Sequence, residues 1–226
     1  MIPITLNNSV AAKAGSSTHF LGICFDNSLT FKLHCTELIS KLNSCCYQVR
    51  ILRNVLEIPY LRNFYCACVQ SRLSYGLLIW GQSPALSDVF LLQKRLIRCI
   101  FGVPNDYTCR QLFRILGVLP LPSLYIYEHL LCVFKDKHKY KTVGETHKYD
   151  TRNTKKLWIP FRHLKLCMQT SDTLGLRLFN HLPTEIVNCS SVSEFKGRIT
   201  KYLLEGCFYS QQEFFSQPCA IVRSKY

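Results

Sequence analysis

Chemistry on a substrate needs side chains that hold a metal, move a proton or attack a bond, and this chain scatters its candidates. The six aspartates stand at 26, 88, 106, 136, 150 and 172, no two of them neighbours. Two-metal phosphoryl chemistry requires carboxylates clustered tightly enough to hold both ions, and Glu57, Glu128 and Glu185 do not join the aspartates at helical spacing. A glycine-rich phosphate loop and a G-x-S-x-G elbow are both missing. His34 precedes Cys35, a pairing open to two readings: a base beside a nucleophile, or a partly buried structural histidine. Cys132, His138 and His147 form the nearest metal-like grouping, but their spacing matches no standard zinc module. The expectation is a chain with no catalytic residues, no metal and no cofactor.

The remaining candidates bind rather than react. Lys94, Arg95 and Arg98 ride on one short apolar-periodic segment, and Lys148, Tyr149, Arg152, Lys155 and Lys156 lie in a basic stretch further on. Lys135–Lys165 holds ten Lys/Arg against three acids, half of the chain's net charge of +14, with Tyr140, Tyr149 and Trp158 interleaved. Cations give sequence-independent affinity for phosphate through counterion release. Aromatics between them can stack on unpaired bases or pack against sugars. The competing reading is a solvated basic loop whose tyrosines cover core, or a basic surface that pairs with an acidic domain.

The elements that must position these residues read as mainly helical. With 226 residues and 48% hydrophobic content, the chain can bury a sizeable core. No apolar run is long enough to span a bilayer, and the N-terminus has no signal-peptide pattern. Thirteen cysteines without a C-x-x-C fit free thiols packed as small hydrophobes and a reducing intracellular setting, nuclear or cytoplasmic. Residues 1–28 suggest a β-hairpin: Ile2, Ile4 and Leu6 alternate, Asn7-Asn8 offers a turn, and Phe20–Ile23 resumes an apolar run.

From Thr30, a plausible N-cap, Phe31, Cys35, Leu38, Leu42, Cys45, Val49, Leu52 and Leu56 recur in steps of four and three, the seam of one helix. Pro59 opens a second helix reaching to about Trp80, apolar nearly all round. Ser87 or Asp88 caps a third, with Val89, Leu92, Leu96 and Cys99 inward and Gly102 as the stop. Shorter helices follow at about Tyr107–Leu116 and from Pro122 to about Phe134. Residues 135–165 lose periodicity and read as a linker. Beyond it, Ser191-x-x-Glu194 signals a capping box ahead of an inward stripe at Phe195, Ile199, Tyr202 and Leu203. The tail after Cys207 shows no pattern. The domain expectation is therefore 1–28 hairpin, 29–134 helical domain, 135–165 basic aromatic linker and 166–226 C-terminal helical segment.

Five motifs then follow one another in order: FLGICFDNSLTFKLH, YCACVQSRLSYGLLIWG, LLQKRLIRCIFG, HKYDTRNT and GLRLFNHLPTEI with SEFK. This succession resembles the region after the catalytic palm in reverse transcriptases of non-LTR retrotransposons (LINEs), particularly the jockey-like group, over about Phe20 to Phe195. The resemblance implies a thumb-like helical bundle that grips template RNA and primer–template duplex, followed by a C-terminal segment. By matching positions it makes Gln93, Lys94, Arg95 and Arg98, with His147, Tyr149, Thr151 and Arg152, the candidate contacts, and the hairpin the last one leading out of the palm. The family's aromatic-x-Asp-Asp polymerase box is absent from this chain. Mg2+ would therefore belong to a palm supplied in trans, and the chain reads as a partial, non-catalytic copy. The alternative is a structural or protein-interaction remnant of a mobile element with no ligand of its own.

Overall fold

The computed structural model describes residues 17–146, 154, 156–160 and 171–217. The fold is mainly α, with one short antiparallel hairpin at its N-terminal edge. Strands β1 (Thr18–Phe20) and β2 (Ile23–Phe25) pair with His19 opposite Cys24. The apolar run Phe20–Ile23 does not continue one strand, as its pattern suggests. It folds back at Leu21-Gly22, whose φ values of 47° and 78° are the paired left-handed conformations of a two-residue hairpin turn. The expected alternation at Ile2, Ile4 and Leu6 and the Asn7-Asn8 turn lie outside the described residues.

Helix α1 (Lys32–Leu52) carries the expected seam: Phe31, Cys35, Leu38, Leu42, Cys45 and Val49 are buried. Thr30 is not its cap. The Thr30 amide and hydroxyl donate to the Asp26 carboxylate at 2.8 and 2.9 Å, and the chain enters the helix through Phe31 in a left-handed conformation. These bonds, the Thr30 amide foremost, hold the Asp26 carboxyl below its usual range.

The second helix is not continuous either. It runs as α2 (Ile58–Tyr65), a π turn (Cys66–Gln70) and α3 (Ser71–Ser74), then breaks at Tyr75-Gly76 before α4 (Leu77–Trp80). Its buried residues Leu61, Tyr65, Val69 and Leu73 recur strictly every four positions. In a regular α-helix such spacing drifts around the axis by about 40° per step. The wider π turn takes up that drift and keeps one face on the core. The faces between stay exposed at Arg62, Ala67 and Arg72, so this helix is buried on one side rather than most.

Helix α5 (Leu86–Phe101) packs along α1, and α6 (Cys109–Leu116) turns at Gly117 into α7 (Leu121–Lys135). Apolar almost all round, α7 is the central post. Around it pack α3, α4, α5, α9 (Ser171–Asn180), α11 (Val192–Gly206) and α12 (Gln211–Ser216). A short 3-10 turn (Lys137–Lys139), α8 (Val143–Thr146) and α10 (Thr184–Val187) complete the described elements.

The expected linker is partly built in. Thr142 bridges Leu157, and the Asn180 carboxamide clamps the Leu157 amide and carbonyl at 2.9 and 2.8 Å. One continuous set of touching buried residues runs from Ile23 to Phe214, across the positions where the sequence suggests separate units.

Both C-terminal helices start on the same device. Ser191 accepts from the Glu194 amide at 3.1 Å, and the Glu194 carboxylate reaches back to the Ser190 amide and hydroxyl. Ser210 and Glu213 repeat it at 3.1 Å, with Glu213 accepting from the Tyr209 amide at 2.9 Å. The described part of the tail, through residue 217, therefore forms a capped helix.

The hairpin is fastened to the helices at the Tyr75-Gly76 break. Tyr75 donates its hydroxyl to the Leu21 carbonyl, and Gly76, at φ 61°, lies so close to Ile23 that an added Cβ would meet its Cδ1 at 2.5 Å. Gly76→Ala is expected to cost about 1–2 kcal/mol from backbone strain and crowding. The check is a urea melt, with faster amide exchange concentrated in β1 and β2.

Candidate nucleic-acid interface

Helix α5 owes its position to a broad apolar face, with Val89, Phe90, Leu92, Leu96, Ile97 and Ile100 all buried. It begins at Leu86, ahead of the expected Ser87 or Asp88 cap. The Ser83 hydroxyl takes the Ala85 amide, and Asp88 falls within the first turn. It ends where expected. Gly102 is left-handed at φ 67°, and the Val103 amide returns to the Arg98 carbonyl at 3.2 Å.

Of the four α5 residues that the resemblance marks as contacts, Gln93 is a structural residue. It is 1% exposed. Its amide nitrogen donates to the Tyr65 hydroxyl at 2.7 Å and the Leu119 carbonyl at 3.1 Å, while its oxygen accepts from the Leu121 amide at 2.7 Å. The side chain that would touch a ligand is instead spent joining α2, α5 and the turn into α7.

The three cations of α5 do not form one surface. Lys94 and Arg98, one turn apart, face α6. Lys94 is half-buried with its Nζ 4.8 Å above the Phe90 ring and 5.7 Å above that of Tyr209. Arg98 donates Nε to the Tyr107 carbonyl at 2.9 Å. Both oppose the upward push that burial gives the Cys109 thiol. Arg95 is exposed on the α1 side. There burial raises the Cys46 thiol to about 11, against the pull of Arg95 and of Arg50 from α1. Arg53, one turn on from Arg50, reaches the carbonyl of Cys99 at 3.4 Å. The structure thus gathers Arg50, Arg53 and Arg95 along the α1–α5 seam. Their separation in sequence hides this grouping, although the positions of Arg50 and Arg53 off the α1 seam are legible.

A second basic surface lies on α11. Lys196, Gly197, Thr200, Lys201 and Leu204, with Arg114 and Glu205, line an open groove of about 670 Å³. The capping box fixes where α11 starts, so its Lys196–Lys201 face could have been projected from sequence. Of the basic stretch, Lys156 is exposed, and its carbonyl accepts from the Val143 amide at 2.9 Å. Lys148, Tyr149, Arg152 and Lys155, with His147 and Thr151, lie outside the described residues.

His34 is buried against Trp80 and accepts from the Cys24 amide at 3.5 Å, and burial lowers its pKa. Cys35 is fully buried, which pushes its thiol up rather than toward a reactive thiolate. The pair fits core packing. Three described carboxylates are held by ion pairs or hydrogen bonds, Asp136 with Lys139, Glu194 with Ser190 and Arg198, and Glu213 with Arg110. Among the described residues no group of carboxylates converges as the Mg2+ ions of phosphoryl transfer require, and no step is derived through that metal. What the arrangement can do is present fixed positive charge to an anion. The chain matches no protein-family model, no curated protein and no solved structure.

Gln93→Ala strands three buried polar groups and is expected to cost about 3–5 kcal/mol, whereas Tyr65→Phe should cost about 1 kcal/mol. Equilibrium urea unfolding of the two variants gives the comparison. Arg98→Ala is expected to lose about 1 kcal/mol with its half-exposed bond to Tyr107. Arg95→Ala should stay within about 0.5 kcal/mol of the parent. A larger loss at Arg95 than at Arg98 in the same assay would contradict the assigned roles.

Proposed function

We propose that the chain is a non-catalytic nucleic-acid-binding module related to the thumb region of non-LTR retrotransposon reverse transcriptases, gripping template RNA or primer–template duplex. The observation that carries this reading is the unpaired surplus of positive charge. The chain holds 28 Lys/Arg against 14 acids, and only three Lys/Arg–carboxylate ion pairs form among the described residues. Arginines that donate to main-chain carbonyls, such as Arg53, keep their full charge at the surface. A phosphate backbone is the polyanion such a surface fits. The ordered succession of family-like motifs and the mainly helical architecture are what support the narrower identification. A polymerase palm would be its partner in trans.

One observation favours a second reading, an interaction element with no nucleic-acid ligand. Phe20, Leu21, Leu29 and Leu33 leave apolar surface open around the hairpin, at 47–73% exposure.

The separating experiment is fluorescence anisotropy with a primed RNA template across a salt series. The nucleic-acid reading expects affinity to fall log-linearly with salt. Joint replacement of Arg50, Arg53, Arg95 and Arg152 by glutamine should then weaken binding at least tenfold and flatten the slope by about 0.7–0.9 for each phosphate no longer neutralised. Affinity unchanged by the quadruple variant at low salt would sink it. Binding that is absent altogether, from a chain that melts cooperatively, would favour the second reading.

A further inference from the structure

The hairpin poses a physical problem. Two strands of three residues each are marginal by themselves, and the outer face of β1 is exposed throughout. Yet the pairing sets three metal-ligating side chains together. His19 and Cys24 are direct cross-strand partners and so project on the same face. Glu37, from the second turn of α1, meets them there. One donor atom from each of the three lies within 4.8 Å of the others, and His19 Nε2 is 3.4 Å from Glu37 Oε1.

We propose that His19, Cys24 and Glu37 form a binding site for a zinc-type divalent cation that pins the N-terminal hairpin to α1. The donor set is an imidazole nitrogen, a thiolate sulfur and a carboxylate oxygen, all three of them zinc ligands, and soft sulfur selects against Mg2+ and Ca2+. Tetrahedral zinc with bonds of about 2.0–2.3 Å places its donors roughly 3.3–3.8 Å apart. The cluster reaches that spacing by closing about 1 Å. The closing movement falls to His19 and Glu37, whose side chains are 58% and 41% exposed. Cys24, 1% exposed, is the fixed anchor, and its amide is already held by His34 from the same helix face as Glu37. On binding, the Cys24 thiol and the coordinating ring nitrogen of His19 give up any proton they carry to solvent, the His19–Glu37 pair opens around the ion, and water completes the fourth position. The site stands apart from both basic surfaces and does not depend on the nucleic-acid reading.

The test is a Co2+ titration of the full chain under reducing conditions, followed by Zn2+ competition. The expected result is one Co2+ per chain, with a thiolate-to-cobalt charge-transfer band and four-coordinate d–d intensity that zinc removes. His19→Ala, an exposed position whose change leaves the core intact, should weaken binding at least tenfold. Glu37→Gln should act likewise. Cys24→Ser should abolish the charge-transfer band, while Cys132→Ser and Cys189→Ser, at cysteines away from the hairpin, should keep it. Zn2+ should raise the melting temperature of the parent and of Cys132→Ser, but not of His19→Ala. A charge-transfer band that survives in His19→Ala with unchanged affinity, or one that never saturates at a single equivalent, overturns the proposal.

Discussion

A carboxamide shut away from water is costly unless each of its polar atoms finds a partner, and Gln93 sits where three partners converge. Tyr65 comes from α2, Leu119 and Leu121 from the turn into α7. The bonds fix the distance and rotation of α5 against both neighbours. Apolar contact alone fixes these loosely, because side chains of similar volume can slide past one another. Burial drives the Tyr65 phenol far above its ordinary pKa, so this hydroxyl stays protonated. α7, the post for the C-terminal helices, is thereby placed by a bond network made on the N-terminal side of the chain.

Arginine does comparable work at the surface. Arg53 reaches the Cys99 carbonyl near the end of α5, and Arg62 that of Leu116 at the end of α6. Arg114 takes the Leu204 and Glu205 carbonyls near the end of α11. Each guanidinium meets main-chain carbonyls in the last turn of a helix, at the negative end of its dipole. Positive charge in this protein therefore fastens helix ends, and that work is compatible with the proposed one of meeting phosphate. An arginine tied through one or two N–H groups is held in place, and a fixed cation loses less entropy on meeting a phosphate than a free one.

The parts of the fold that could be read from sequence are those where one local signal decides. The seam of α1, the left-handed stop at Gly102 and the Ser191–Glu194 box needed no knowledge of neighbours. The tail helix carried the same Ser-x-x-Glu signal at Ser210–Glu213, in plain view beside the aromatic pair Phe214-Phe215. What stayed hidden depended on competition or distance. Asp26 outbids the α1 helix for Thr30, a result set by turn geometry. A helical projection sets Gln93 among Val89, Leu96, Ile97 and Ile100, so its burial was legible, but its partners Tyr65, Leu119 and Leu121 were not. The grouping of Arg50 and Arg53 with Arg95 exists only once α1 and α5 lie side by side. Lys94 and Arg98 read as a ligand-facing rim; the i, i+4 spacing of Phe90 and Lys94 was visible, but not the Tyr209 ring near Lys94 or the Tyr107 carbonyl that receives Arg98.

The π turn at Cys66–Gln70 gives chain length itself a meaning. A helix transmits rotation as a shaft does, and one residue is worth about 100° of turn and 1.5 Å of travel. Removing any one residue of the five would let the segment relax into unbroken α-helix, with normal bonds throughout and every side-chain type acceptable. Leu61, Tyr65, Val69 and Leu73 would then recur in two steps of four and one of three, so Leu73, Gly76 and Trp80 would keep their phase with the hairpin and with His34. In this stretch a single deletion is therefore a smaller insult than the same deletion in a regular helix, where every later side chain would swing by about 100°.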